Sequence, residues 1–443
     1  MWRQAALASA ILVLGGGVQA QSNDELKARL DEALKTIQDL QGRVKALEQQ
    51  RPPAAAPAPG TWGAPVVAPA SQAEKGAPEA GEARVEVYGQ AMLDAIYDAR
   101  RMNPQWNATL RPSQIPVSCP GDPGCGKDGA TVLSIRQSSL GLRGFIPTSL
   151  GLIKTDLSFD LFGSDGSTQI HWLKAWAEIG RFGIGQNDSN FMDIDVFPNT
   201  IDYWGPSGMV FLRNPQLRFT PYSNEGLSVA VSLEAPNSAL DTGKIADLAP
   251  VFGAGFTYWN RLPDAVASVR FDRDWGHFRA AGILRQVGYQ NTLTPDGSPS
   301  GRKTGYGLNL SGALKVFNND RLTWQLVGGE AIASYMDDGG VDLAPGAGLK
   351  AETVRSLGWL AFYNHAWSDR WSSSIGYSQH QQDNTDGQLG TAWRRGSYSS
   401  LNLLYAPAKN VLTGAELLWG QLEQKSGASA DDLRVQFSTK VAF

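Results

Sequence analysis

The sequence predicts an all-β fold: an antiparallel transmembrane β-barrel of about sixteen strands with an infolded constriction loop, preceded by a short amino-terminal coiled-coil helix. Three observations predict it. From Arg84 to Phe443 hydrophobicity alternates with period two almost everywhere, the period at which side chains change faces along a strand. Short turn-forming connections alternate with longer ones nearly throughout, as tight turns at one barrel end and loops at the other require. The last stretch places Leu433, Val435, Phe437, Thr439, Val441 and Phe443 on one face. Its other face carries Asp432, Arg434, Gln436, Ser438, Lys440 and Ala442. One apolar and one polar face suit lipid outside and water inside, because a closed barrel pairs every backbone polar group within itself.

The chain divides in order. Residues 1–20 read as a secretory signal, with Arg3 as the positive start, Ala5 to Leu14 as the apolar run and Val18-Gln19-Ala20 as the cleavage site. Residues 21–51 change to a helical period. Leu26, Leu30, Ala33, Ile37, Leu40, Val44 and Leu47 form a heptad seam, which predicts a periplasmic coiled coil. Ile37 and Val44 over Leu40 and Leu47 favour two strands, whereas Leu34 broadens the stripe and favours three. The seam is too short to hold the assembly alone, so contact between barrels is expected to carry it. Residues 52–83 are a Pro/Ala-rich linker, extended and semi-stiff, and residues 84–443 are the barrel.

Within the barrel, Ile153, Thr155, Leu157, Phe159 and Leu161 alternate with Lys154, Asp156, Ser158 and Asp160, and other segments repeat the pattern. Short turns are expected at Pro147-Thr148-Ser149, Gly180-Arg181, Tyr222 to Glu225, Arg273-Asp274-Trp275, Asn318-Asn319-Asp320, Ser368-Asp369 and Pro407-Ala408-Lys409. Trp324, Trp359, Tyr363, Trp371, Tyr405 and Trp419 fall on the lipid face, where interfacial aromatics belong. Parity breaks twice. A bulge near Gln137-Ser138-Ser139 is required, and Glu330 faces lipid unless the strand slips at Gly328-Gly329.

Composition removes several function classes. A formal net charge of −4 leaves no basic footprint for nucleic acid. Four His and two Cys offer little for a metal cluster, and no cofactor motif is present. An enzyme would need a nucleophile beside His171, His277, His365 or His380, and none stands out; parity sends His171 outward. A trimeric adhesin would need a longer stalk. Cys119 and Cys125, separated by Pro120-Gly121-Asp122-Pro123-Gly124, are expected to form a disulfide after export.

The stretch from Gly185 to Gly208 has neither period, yet Phe191, Ile194, Phe197, Ile201, Tyr203 and Trp204 make it too apolar for an exposed loop. It belongs inside the barrel. This loop resembles that of the DcaP-like trimeric outer-membrane porins. So do Tyr88-Gly89-Gln90, Leu110-Arg111-Pro112-Ser113, Arg136-Gln137-Ser138, Gly144 to Thr148 and Val210 to Gln216. The closing strand ending on Phe443 resembles the signal read by the barrel-assembly machinery. The resemblance implies a homotrimeric diffusion channel in outer-membrane lipid, with a periplasmic coiled coil and uptake of small anionic, often dicarboxylic, solutes. The alternative is a sugar-type porin with a coiled coil, marked only by Trp172 and Trp176, which parity points inward.

Parity also points Arg143, Lys154, Lys174, Arg218, Arg270, Arg279 and Arg285 into the lumen, with Arg136 if the bulge exists. Arg213 opens the strand after the loop, and Asp193, Asp195 and Asp202 come from the loop itself. These are the candidate channel and substrate-binding residues. The sharp expectation is an arginine wall, Arg279 and Arg285 foremost, facing the loop and gripping carboxylates. It requires the loop acids to turn back onto the loop's own backbone. Otherwise the same charges pair with one another and hold the loop.

Overall fold

The computed structural model describes residues 82–119, 121, 123–245, 255–317 and 320–443, with Lys35 alone before them. The signal, coiled-coil and linker expectations lie outside the described residues, Lys35 apart.

The strands begin with β1 (Arg84–Asp98), β2 (Ala130–Ser134), β3 (Ser139–Thr148), β4 (Gly151–Phe162), β5 (Thr168–Ile179), β6 (Phe182–Asp188) and β7 (Arg213–Asn224). Then come β8 (Leu227–Glu234), β9 (Phe256–Tyr258), β10 (Asp264–Arg273), β11 (Gly276–Asn291), β12 (Gly301–Val316) and β13 (Asp320–Glu330). β14 (Leu343–Pro345) and β15 (Ala351–Thr353) form a separate ribbon. The wall resumes with β16 (Arg355–Ala366), β17 (Trp371–Asp383), β18 (Trp393–Ala408), β19 (Val411–Gln424) and β20 (Ser429–Ala442). β2 and β3 both pair with β1 and are two lengths of one wall strand. β9 and β10 both pair with β11 and are likewise one. The wall is therefore a closed antiparallel barrel of sixteen strands, sealed by β1 on β20.

The period-two reading sets the faces. On β20, Leu433, Val435 and Phe437 are 42–52% exposed on the outside, whereas Arg434 and Gln436 are fully buried. At the seam Asp94 accepts from Gln137 Nε2, Ser438 Oγ and Gln436 Nε2, and Arg434 Nε donates to Asp98 at 2.6 Å. The expected short turns join consecutive wall strands, with Asn318 and Asn319 lying outside the described residues. The bulge lies at 135–138, where the wall strand breaks between β2 and β3. Glu330 needs no slip: β13 keeps register, with Glu330 opposite Arg355 on the lipid side. Opposite charges directly across a strand pair are a favourable arrangement.

One parity expectation fails. β4 and β5 shift register between Ser158, opposite Lys174, and Phe159, opposite Trp172, so Leu173 is an extra residue on β5. The bulge turns Trp172 outward, 53% exposed and edge-on to Phe159. It turns His171 toward Asp160 and Tyr203. The inward tryptophan pair is thus reduced to Trp176.

Candidate functional site

The loop between β6 and β7, residues 189–212, folds into the barrel, and Phe191, Met192, Val196, Phe197, Ile201, Met209 and Val210 are buried there. Its polar groups meet the inner wall strand after strand. Glu234 of β8 accepts from Ser189 Oγ at 2.7 Å and Asn190 N at 2.8 Å. Asn309 Nδ2 donates to Phe191 O at 2.8 Å, and Ser311 Oγ to Asp193 Oδ2 at 2.7 Å. Across the lumen, Glu416 of β19 accepts from Thr200 Oγ1 and Ile201 N, each at 2.6 Å. Ile201 O accepts from Gln137 and Gln436 beside the closing seam. Gly208 lies so close to the wall that a Cβ would fall 2.2 Å from Gln379 O and 2.5 Å from Trp359 O, which only glycine avoids.

Where the loop enters the lumen it is ringed by charge. Asp188 pairs with Arg213 at 2.9 Å and Lys174 at 3.2 Å. Asp195 pairs with Arg270 at 2.6 Å, and Asp193 with Arg270 at 3.5 Å and His277 at 2.9 Å. Burial works against charge on Asp193, but His277, Arg279 and Arg270 together hold its carboxyl well below the usual carboxylate range. Three guanidinium groups are satisfied differently. Arg218 donates to Asp188 O, Arg279 to Asn190 O at 2.9 Å, and Arg321 to Asp195 O. Each of the three grips a carbonyl of the loop or its root, so its charge is left without a paired carboxylate among the described residues.

The structure brings together Lys174, Arg213, Arg218, Arg270, Arg279, Asp193 and Asp195 and separates the other candidates. Arg143 pairs with Asp156, and Lys154 with Glu178, near the short-turn end. Arg136 donates to Thr168 Oγ1 at 3.1 Å, on the bulge toward the long loops, and does not reach the loop-entry cluster. Arg285 is sealed at 3% exposure between Asp264 and Asp342, so the expectation of an open Arg279–Arg285 pair is corrected. Asp202 turns to Leu110 N, Thr109 Oγ1 and Gly205 N, as a loop anchor. Asp193 and Asp195 face the wall, so the condition set for an unopposed arginine wall is not met by them. Arg321 and Asp188 were not among the sequence candidates, and His277 was weighed only as a partner for a nucleophile. Arg321 shares parity with inward Thr323 and Gln325, and that signal was available.

Residues 137–441 match the model of a family described as the porin subfamily. The chain belongs to the porin subfamily. No curated protein sequence matches it. This porin is similar in fold to the outer membrane channel DcaP of Acinetobacter baumannii, with a TM-score of 0.69, 20% identity, and coverage of 83% of this chain and 99% of that one. It is also similar to an anion-selective porin from Comamonas acidovorans, with a TM-score of 0.52, 10% identity, and coverage of 82% and 100%. OmpT of Vibrio cholerae gives a TM-score of 0.51 and 11% identity, covering 83% and 99%. Channel and outer-membrane location follow from family and fold.

The long loops of this porin therefore lie outside the cell, and they close over the infolded loop. Arg111 is held between Trp106 and Trp204, its guanidinium carbon 4.1 and 3.8 Å from their ring centres, and Nε donates to Asp338 at 3.0 Å. Cys119 and Cys125 are bonded in the first of these loops. Arg285 donates to Ala331 O, Ser334 Oγ and Asn237 O, tying two loops to the wall. Asp193, Asp195 and His277 bring three ligand atoms within 4.8 Å of one another, but Arg270 already occupies the two carboxylates.

Proposed function

We propose that this porin is a homotrimeric outer-membrane diffusion channel for small hydrophilic solutes that favours anions, dicarboxylates among them. One observation carries the reading: Arg218, Arg279 and Arg321 spend their hydrogen bonds on neutral carbonyls, whereas Asp188, Asp193 and Asp195 are each matched by a cation. At the loop's entry these three guanidinium groups outnumber Glu234, whose carboxylate accepts from neutral donors, so the balance there is positive, and ring charges set the sign of pore selectivity. Guanidinium forks spaced along a wall also suit a solute with two carboxylates. The anion selectivity in the Comamonas protein's description accords with this sign. Insertion through the barrel-assembly machinery by way of Phe443, and a periplasmic coiled coil on residues 21–51, complete the proposal. A sugar channel gains no observation here, since Trp172 faces outward and Trp176 lies under Arg218.

Replacing Arg218, Arg279 and Arg321 together by Gln keeps donors to the loop carbonyls while removing the charge. In planar bilayers the triple variant should move the reversal potential toward cations and weaken current block by succinate. Unchanged values on both counts would place the filter elsewhere.

A further inference from the structure

We infer that the outward rim of β12, β13, β16 and β17, at the long-loop end, is a binding site for a phosphorylated glycolipid of the outer leaflet. Four outward side chains stand there in one register row. Tyr306 lies opposite Glu330, Glu330 opposite Arg355, and Arg355 opposite Asp383. Among the described residues none of these four side chains has a hydrogen-bond or ion-pair partner, and neither does that of Arg302, further toward the loop end of β12. Arg355 therefore closes an ion pair with neither of the acids beside it. The adjoining rim is built differently. Arg394 and Arg395 of β18 both pair with Glu423 of β19, at the same end of the wall, and are satisfied within the protein.

The row stands at headgroup height. Below Arg355 on β16, toward the periplasm, Trp359 packs against Tyr377 with ring centres 5.3 Å apart. Outward aromatics of this kind settle at the boundary between hydrocarbon and water, so the next outward polar positions meet lipid headgroups. Toward the same end of β2, β5 and β8 the outward positions are the apolar Leu133, Ile170 and Leu233, all exposed. The polar row is thus a feature of one arc of the wall and not of the rim as a whole. It needs only the outer-membrane location, whatever the pore conducts.

The side chains in the row select the chemistry. A free guanidinium on a lipid-facing rim matches a phosphate, which it binds through two parallel hydrogen bonds. Glu330 and Asp383 are acceptors without donors, and they would repel a headgroup that offered phosphate alone. A phosphorylated sugar brings hydroxyl and amide donors beside its phosphate, so both acids gain hydrogen bonds while Arg355 takes the anion. Tyr306, 56% exposed, adds a ring face and a hydroxyl at the end of the row. The backbone of Arg302 lies about 13 Å along and about 10 Å across from that of Arg355. Its long side chain places a second guanidinium within reach of a second phosphate.

The test measures lipid retention on the folded, full-length porin in mild detergent. Diphosphoryl lipid A is added, and the lipid held per barrel is counted by native mass spectrometry. Wild type should retain it at least several-fold better than Arg302→Gln with Arg355→Gln. It should also retain it better than phosphatidic acid, which has the phosphate without the sugar, and better than lipid A stripped of its phosphates. Arg181→Gln with Arg370→Gln removes two exposed charges at the short-turn end and should leave retention unchanged. The reversal potential of the rim variant should equal that of wild type, because its residues face away from the lumen. Equal retention by the rim variant, an equal loss in the control, or phosphatidic acid held as firmly as lipid A overturns the inference. A shifted reversal potential would place these arginines at the pore and overturn it as well. If the rim variant does not fold, the wild type decides alone: undiminished retention of the phosphate-free lipid overturns it.

Discussion

Arg285→Ala is expected to loosen the extracellular loops more than any other single substitution. The Arg285 side chain and its partners Asp264 and Asp342 are wholly buried, with ion-pair distances of 3.2 and 3.5 Å. Removing the guanidinium leaves two carboxylates facing each other away from water, and it frees the carbonyls of Asn237 and Ala331. Breaking a buried ion pair from one side costs about 3–5 kcal/mol. The loss falls on loop packing rather than on the wall ladder, whose hydrogen bonds are unaffected. Limited proteolysis should therefore cut within 331–354 in the variant and spare the wild type, while the barrel stays heat-modifiable. Arg285→Lys keeps one charge without the fork and should fall between them. Resistance equal to wild type in Arg285→Ala would mean that the ribbon of β14 and β15 holds these loops unaided.

The second large effect is expected at Glu416. Its two oxygens accept from Thr200 Oγ1 and Ile201 N, on the side of the lumen opposite the loop's entry. Glu416→Ala leaves the buried Ile201 N–H without its acceptor, at a cost of about 1–3 kcal/mol, and leaves the Thr200 hydroxyl only as an acceptor from Asp202 N. The far end of the loop then keeps Ile201 O on Gln137 and Gln436, and Asn199 O on Asn402. Partial release should appear as added current noise and a larger mean single-channel conductance, with thermal stability lowered by several degrees. Glu416→Gln, which retains one acceptor oxygen, should restore most of the quiet behaviour. A variant as quiet as wild type would show that the loop is fixed by its apolar packing instead.

The wall was legible because one physical rule governs it: alternate side chains see lipid and lumen, and β20 follows the rule for its whole length. The infolded loop was legible for the opposite reason, since Phe191, Phe197 and Ile201 cannot be left in water. What the sequence hid was two-body information. A single extra residue, Leu173, reverses Trp172 and His171, and nothing local distinguishes it from its neighbours. Parity correctly sent both Arg279 and Arg285 inward, but only packing decides that one meets the lumen wall beside Asn190 and the other is sealed beneath loops. In the same way, whether Asp195 turns to its own backbone or to Arg270 depends on a strand some 75 positions distant.

The central claim is that the balance of charge at the entry of the infolded loop is positive and governs permeation. It is tested most directly by the reversal potential of the wild-type channel in a planar bilayer across a potassium chloride gradient. A potential directed toward the chloride equilibrium value, moved further that way as ionic strength falls and screening weakens, is the predicted result. A potential at zero, or one directed toward potassium, would contradict it.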